Sequence, residues 1–579
     1  MLLVGLLAVV ATLGLVPLSG RERPIVFDER LIDGKQAYLE ELRRRRLADP
    51  HREAAGAAPN VVFMVADDLG PSDISAYGPA LGAPHVETPH IDSIGTAGVR
   101  FDNAYATAAI CAPSRAALLT GRHQNRSGFQ LQPQSRYAKN RLEYLVFRYV
   151  LDTGNMVPVF STEFPAQEDI DRQGLSPAEI TIADAFGAAG YQTAAVGKWH
   201  LGITDGFLPR DHGFDTHYGF YEAYSLYAPE SDPDVVGLRL GEFTDDHQWD
   251  TGRSGPSAIH RNGEVVGEKE YLTFALADEA TDFIEDAGDD PYFLHLAFSA
   301  PHVPLQAPRE YYDRFPRVED EATRIYYAMI SALDEAVGRV LAAVEESGRA
   351  KETVIVFTAD NGGYEGTGAT ENYPFKAGKF SNFQGGLRVP ALLSYPERVR
   401  AGTVVESVVS LMDFPITAMA AAGIPPAEDR DYDGVDLLSY LSPPEEAPGS
   451  ENGDTRGEPA GGTNTPRPGD GAPEPDDSGR HAIVRETIHE ALYWVWDYNR
   501  AVLADGHKLI LDDLHGVELL YNIDADPGEA RNLAEEYPNH VQELRRRLDA
   551  WEALMPPAAW PRIMNYRYKI GDEVFFFGI

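Results

Sequence analysis

Cys111 is the sole cysteine in 579 residues, and Arg115 stands four positions after it in Ala109-Ile110-Cys111-Ala112-Pro113-Ser114-Arg115-Ala116-Ala117-Leu118-Leu119-Thr120-Gly121. One thiol cannot close an internal disulfide, so it serves packing, as most free cysteines do, or chemistry. The Pro113-Ser114 pair suits a tight turn feeding a helix N-terminus, where backbone N–H groups favour an anion. Phosphate chemistry by a loop thiolate needs arginine six positions on, and that position is Ala117, so that reading is set aside. Two other places supply hard oxygen donors: Asp67-Asp68 and Asp360-Asn361. Such a set suits Ca²⁺ or Mg²⁺ better than zinc, although Asp67-Asp68 alone reads equally as a helix cap and a loop carboxylate. Lys198 and His200 stand two apart and share a side if the chain there is extended. His302 lies between Pro301 and Pro304, which impose a non-helical turn.

These residues need a scaffold, and the apolar runs describe one. Val61 to Ala66 and Thr353 to Ala359 are continuously apolar or β-branched and run straight into Asp67 and Asp360. Continuous rather than alternating apolarity predicts strands buried on both faces of a parallel sheet, with ligands at their carboxyl ends. The spacing of Ile180, Ala183, Ala185, Phe186 and Ala189 predicts a helix capped by Gly190, leading into a short strand before Lys198. Tyr292 to Phe298 is a further strand, with His295 inside it and therefore core. The predicted fold class is α/β, a large mixed and mostly parallel sheet flanked by helices, plus a smaller C-terminal α+β domain with a short antiparallel sheet.

Composition narrows the partners. The chain carries 90 Asp+Glu against 50 Lys+Arg, which argues against nucleic acid and against docking on an anionic membrane. Only nine lysines occur, so a lysine at a motif position is informative. Residues 1–20 are mostly apolar and read as a signal peptide or N-terminal anchor, giving an exported (periplasmic or extracellular) protein that touches a membrane only through that segment. Residues 21–58 form a charged lead-in, with Arg43 to Arg46 on a solvated helix face. Residues 59–441 are the expected catalytic domain, and 442–480 a Pro/Gly/acidic insertion too poor in apolar residues to order itself. Residues 481–579 return to strand-like runs and a closing helix near Val541 to Leu554. Residues 131–173 and 221–261 read as irregular walls where selectivity would reside.

The Cys111 segment resembles the signature of the type I, formylglycine-dependent sulfatases of the alkaline phosphatase-like superfamily, in which Cys-x-Pro-x-Arg directs oxidation of the cysteine to Cα-formylglycine. Gly190-Tyr191-Gln192-Thr193-Ala194-Ala195-Val196-Gly197-Lys198-Trp199-His200 is similar to the second signature of that family, and Asp360-Asn361-Gly362-Gly363 to its metal-binding segment. Phe375 to Phe380 and Gln384-Gly385-Gly386-Leu387-Arg388-Val389-Pro390 resemble its Gly-Lys and Glu-Gly-Gly-x-Arg-x-Pro blocks, with Gln384 replacing the glutamate. The resemblance implies a divalent cation, Ca²⁺ with Mg²⁺ as the alternative, on Asp67, Asp68, Cys111, Asp360 and Asn361. It implies catalytic roles for Cys111, Arg115, Lys198, His200, His302 and Lys379, with Lys376 the competing choice for Lys379. The formylglycine made from Cys111 hydrates to a gem-diol; one hydroxyl attacks sulfur, and His200 then deprotonates the other to expel sulfate. Arg115, Lys198 and Lys379 would hold charge on the oxygens, and His302 would face the leaving oxygen. The implied partners are a sulfated small molecule or glycan and a formylglycine-generating maturation enzyme. A phosphonate or phosphodiester hydrolase of the same superfamily and a catalytically silent glycan-binding relative remain the alternatives. In Asp211-His212-Gly213-Phe214-Asp215-Thr216-His217 the pattern could ligate zinc, but nothing around it supports that, and the expected role is structural.

Overall fold

The computed structural model describes residues 29–48, 58–78, 86–133, 140–151, 153–159, 167–241, 243–370, 372–441, 474–475, 482–570 and 573–578. The expected signal or anchor and nearly all of the 442–480 insertion lie outside these. Twelve strands build the main sheet: β1 (Asn60–Ala66), β2 (Val99–Tyr105), β3 (Gln192–Lys198), β4 (Thr216–Phe220), β5 (His260–Arg261), β6 (Glu264–Val265), β7 (Tyr292–Ala297), β8 (Thr353–Ala359), β9 (Ala391–Ser394), β10 (Thr403–Ser410), β11 (Glu474–Pro475) and β12 (Ala482–Val484). Their order is β11-β12-β10-β2-β9-β8-β1-β7-β3-β4-β5-β6. The central run from β8 to β4 is parallel throughout, with Val61 opposite both Val354 and Phe293. Every residue of β1 and β8 is buried, which is why their apolarity does not alternate. Strand β9 runs antiparallel to both β8 and β2, so β2 points the same way as β1 and delivers Cys111 to the same sheet edge.

Helices cover both faces. The short helix α2 (Cys111–Thr120) follows α1 (Glu29–Ala48), and α3 (Ile182–Ala189) begins in a capping box between Thr181 and Asp184 and ends at Gly190 in the left-handed region. The longest of the described helices, α5 (Glu321–Glu346), packs on α4 (Leu272–Ala287) and buries Ile325, Met329, Leu333, Val337, Val340 and Val344, a stripe at the spacing of one helix face. Asp320 caps its start by accepting from Thr323 N at 2.8 Å. The charged lead-in docks rather than drifting: Lys35 is buried against Asp184 (2.7 Å) and donates to Glu179 O, while Arg43 to Arg46 stay exposed.

The C-terminal residues form a four-stranded antiparallel sheet, β13 (Ala491–Trp496), β14 (Asn499–Ala504), β15 (His507–Asp512) and β16 (Val517–Asn522), covered by α6 (Pro538–Glu552). The apolar run from Leu503 to Leu511 is two strands, because Asp505 and Gly506 both take positive φ and turn the chain between them. Where this unit meets the main sheet, His489 Nε2 lies 2.9 Å from Asp413 Oδ1. Burial lowers the His489 pKa, but the Asp413 carboxylate outweighs it and holds the value above the ordinary histidine range. A raised folded-state pKa means a contribution present in full below the unfolded value near ~6.5 and lost as pH climbs through the folded one. Thermal midpoints are therefore expected to fall between pH 6 and 8.5, and His489→Gln to flatten that slope; an unchanged slope in the variant would refute the pairing.

Candidate active site

Carboxyl ends of β1, β2, β3, β7 and β8 converge, and the loops after them carry all the expected residues. Asp67 and Asp68 leave β1, Asp360 and Asn361 leave β8, and the two turns are tied by Asp68 N donating to Asp360 Oδ1 at 3.3 Å. Cys111 is itself the first residue of α2, so the turn lies before it and Pro113 sits inside the first helical turn, where its missing N–H costs nothing. This differs from the turn expected at Pro113-Ser114. Cys111 Sγ lies 3.5 Å from Asp67 Oδ1 and 3.9 Å from Asp68 Oδ1. Arg115 donates through Nε to Asp360 Oδ2 at 2.8 Å and through Nη1 to Lys198 O at 3.1 Å.

Each remaining cation meets a carboxylate. Lys198 Nζ reaches Asp67 Oδ2 at 2.5 Å, and Lys379 Nζ lies 2.7 Å from Asp68 Oδ1. Lys376 turns away, toward Tyr521 OH (3.3 Å) and Glu529 O, so of the two lysines only Lys379 enters the site. His302 Nε2 lies 3.5 Å from Asp68 Oδ2, while its Nδ1 pairs with Val303 O at 2.5 Å. His200 is buried in the left-handed region (φ 58°), as is Asp68 (φ 64°), a conformation both residue types tolerate better than most. Gly362 and Gly385 explain the glycine pairs around the site. A Cβ on Gly362 would stand 1.8 Å from Gly385 O, and one on Gly385 would stand 1.8 Å from Ala377 O, so only bare backbone lets these loops close.

Charge sets the protonation states. Burial by itself would raise Asp67 and Asp68, but Lys198, His302 and Arg115 around the first, and Lys379 and His302 around the second, hold both below the usual carboxylate range. Asp360 is raised, by burial and by Asp67. Burial pushes the Cys111 thiol far up despite Lys198 and Lys379, so the unmodified side chain stays protonated and is a poor nucleophile. Burial, then Lys198, Arg115 and Lys379, push His200 well down, leaving a neutral imidazole able to accept a proton.

The residues fit a divalent cation. Asp67, Asp68, Cys111 and His302 each place a ligand atom within 4.8 Å of the others, a cluster that brings in His302 and leaves out the expected Asp360, whose Oδ2 accepts from Arg115. Asn361 donates Nδ2 to Asp68 Oδ1 at 2.8 Å and leaves its buried Oδ1 without a donor. Turning that amide over would aim oxygen at carboxylates, which only a cation between them makes favourable. Three carboxylates already face three fixed cations, so an added divalent ion would leave the pocket positive and suited to an anionic ester.

The Asp211 to His217 stretch is elsewhere. Asp211 accepts from Gly206 N (2.8 Å) and Leu208 N, Asp215 accepts from Thr193, and none of the four belongs to a metal-ligand cluster among the described residues. Other site contributors carry no readable signal in the sequence. Tyr227 OH lies 2.6 Å from Ser299 O and 2.8 Å from His302 O, pinning the His302 turn. Asn372 imitates a backbone partner for Gly363, and Tyr568 OH donates to Lys379 O at 3.0 Å. Their partners lie up to 189 residues away along the chain, beyond any local pattern.

Comparison with known proteins identifies the family. The family model described as Sulfatase matches residues 59–424. N-acetylgalactosamine-6-sulfatase of Mus musculus is 32% identical over 400 residues, covering 67% of each chain. Arylsulfatase J of Mus musculus is 27% identical over 554 residues, covering 88% of this chain and 79% of its own. The crystal structure of Ps i-CgsB in complex with k-i-k-neocarrahexaose superposes with a TM-score of 0.65 at 26% identity, covering 87% of this chain and 94% of that one. The chain belongs to the sulfatase family of the alkaline phosphatase-like superfamily, and it is a sulfuric ester hydrolase.

Proposed function

We propose that the enzyme hydrolyses sulfate esters of carbohydrates, using Cys111 oxidised to formylglycine and a calcium ion. The observation that carries this is the gathering of Lys198, Lys379, Arg115 and His302 around Cys111, with His200 beside those same groups, in a buried site where the thiol itself stays protonated. The carbohydrate assignment follows the relatives, one named for N-acetylgalactosamine 6-sulfate and one solved with a neocarrahexaose. Asp67, Asp68, Asp360 and Asn361 would hold the cation, which supplies positive charge for the sulfate oxygens. The formylglycine supplies a hydrated aldehyde as the nucleophile toward sulfur.

The chain's own residues then have distinct tasks. Arg115, held by Asp360, and Lys198, held by Asp67, neutralise charge on the sulfate from buried positions, where such charges act strongly. His200, neutral at pH 7, accepts the proton whose loss lets sulfate depart. His302 keeps Nδ1 on Val303 O, so Nε2 is the atom that exchanges a proton with the leaving alcohol oxygen, beside Lys379. An N-terminal export signal and a maturation enzyme belong to the same reading, since the modification is made by a separate protein.

The test is sulfate release from sugar sulfates and 4-nitrophenyl sulfate, with 4-nitrophenyl phosphate as the comparison. Turnover of phosphate above sulfate would displace carbohydrate sulfates as the substrate of this site. Dialysis against EDTA is expected to abolish turnover and lower the thermal midpoint, both restored by Ca²⁺; a ligand at a thousand times its Kd adds about 4 kcal/mol to the folded state. Full activity after verified metal removal would rule out the cation.

A further inference from the structure

A narrow cleft opens beside His302 and Lys379, lined also by Leu240, Asp245, Gln248 and Tyr364. Its wall comes from the stretch expected to be irregular, residues 221–261, which instead forms a strand (Val235–Leu238) paired with Leu305–Pro308 and a helix (Phe243–Thr251). Asp245 is 2% and Gln248 7% exposed, and they lie three positions apart on that helix, so both present to one side. Asp245 Oδ2 accepts from Leu240 N at 2.6 Å. Its Oδ1, and Gln248 Oε1, are buried without a hydrogen bond of good geometry, although Gly241 N and the Trp249 indole also face the carboxylate. Two adjacent buried acceptor atoms, Gln248 Oε1 without a well-formed hydrogen bond and Asp245 Oδ1 with only poorly placed donors, cost free energy that a ligand's N–H or O–H groups would recover. The cleft holds about 50 Å³, the space of a few waters, which fits one edge of a ring rather than a whole sugar.

Resting on the sulfatase reading, we propose that Asp245 and Gln248 form the leaving-group subsite, accepting hydrogen bonds from hydroxyl or amide N–H groups that flank the sulfate ester on the sugar. The ester oxygen faces His302 while the neighbouring ring substituent enters the cleft. The subsite thereby selects donor-bearing alcohols over bare aryl groups.

The experiment measures kcat/KM of the metal-loaded enzyme for 4-nitrophenyl sulfate and for three sugar esters: galactose 6-sulfate, N-acetylgalactosamine 6-sulfate and N-acetylglucosamine 6-sulfate. Wild type is expected to favour at least one sugar ester. For that ester, Asp245→Ala and Gln248→Ala are each expected to reduce the sugar-to-aryl ratio at least 10-fold. Gln248→Ala leaves the Asp245 bond to Leu240 N intact, so it separates ligand binding from a folding defect, and Asp245→Asn tests the carboxylate at constant shape. A ratio changed less than 3-fold in Gln248→Ala and Asp245→Asn overturns the subsite, as does hydrolysis of the aryl ester with no sugar ester accepted. Hydrolysis of none of the four by wild type instead overturns the proposed function, carbohydrate sulfate hydrolysis through formylglycine, on which the subsite rests.

Discussion

Cys111→Ala is expected to lower kcat/KM for sulfate release by a factor on the order of 10⁴–10⁶, the scale on which removing a covalent nucleophile acts. Stability should move little, because cysteine and alanine differ by one heavy atom and the polar partners of Cys111 Sγ, two carboxylates, stand off at 3.5 Å and 3.9 Å. That combination separates chemistry from packing. The variant removes either nucleophile open to this position, a thiolate or a formylglycine, so the state of the native side chain must separate them. A thiol nucleophile would need its pKa lowered, whereas burial raises it far beyond the neutral range. Mass spectrometry of the Cys111 peptide from host-made protein is therefore expected to show formylglycine, in proportion to specific activity across preparations. Activity that survives Cys111→Ala, or full activity in protein whose thiol is wholly unmodified, would remove the nucleophile from the mechanism.

The site was legible because its residues sit directly after strands whose burial is written as continuous apolarity. Val61 to Ala66 and Thr353 to Ala359 are buried on both faces, so nothing polar interrupts them until Asp67 and Asp360. Gly190 and the helix before it were equally open, since a left-handed cap leaves a glycine in the sequence. The lysine at the site was harder. Lys376 and Lys379 lie on one loop, and only tertiary contacts separate the lysine that reaches Asp68 from the one that lies over Phe383. Helix Phe243–Thr251 was not legible, because its sequence Phe-Thr-Asp-Asp-His-Gln-Trp-Asp-Thr has no apolar stripe; its buried face includes Asp245 and Gln248, polar groups turned inward. The C-terminal tail, with Phe575-Phe576-Phe577, is plainly aromatic in sequence, but no local pattern names what that segment packs against. Strand Met564–Ile570 brings Tyr566 onto Phe380 and Tyr568 onto Lys379 O, so the C-terminal residues brace the active-site loop.

That bracing has a second anchor, and breaking it is expected to cost 3–5 kcal/mol, the range for stranding one member of a buried ion pair. Lys508 Nζ lies 2.6 Å from Glu529 Oε1, and neither side chain is exposed at all. Glu529 Oε2 accepts from Gln384 N at 2.7 Å, at the position where the family motif has its own glutamate. Here the carboxylate comes instead from the C-terminal segment and holds the loop that carries Lys379. Burial pushes Glu529 up and Lys508 down, each toward its neutral form, so the pair persists because each partner compensates the other. Lys508→Met removes that compensation and leaves Glu529 buried beside Gln384 N. Adding Glu529→Gln keeps an acceptor for Gln384 N while removing the stranded charge, and it is expected to recover at least half of the loss. Urea unfolding followed through buried Trp494 and Trp496 reads both effects. A single variant less than ~1 kcal/mol below wild type, or a double variant no better than the single, would show that the pair is not what fastens the C-terminal sheet to the active-site loop.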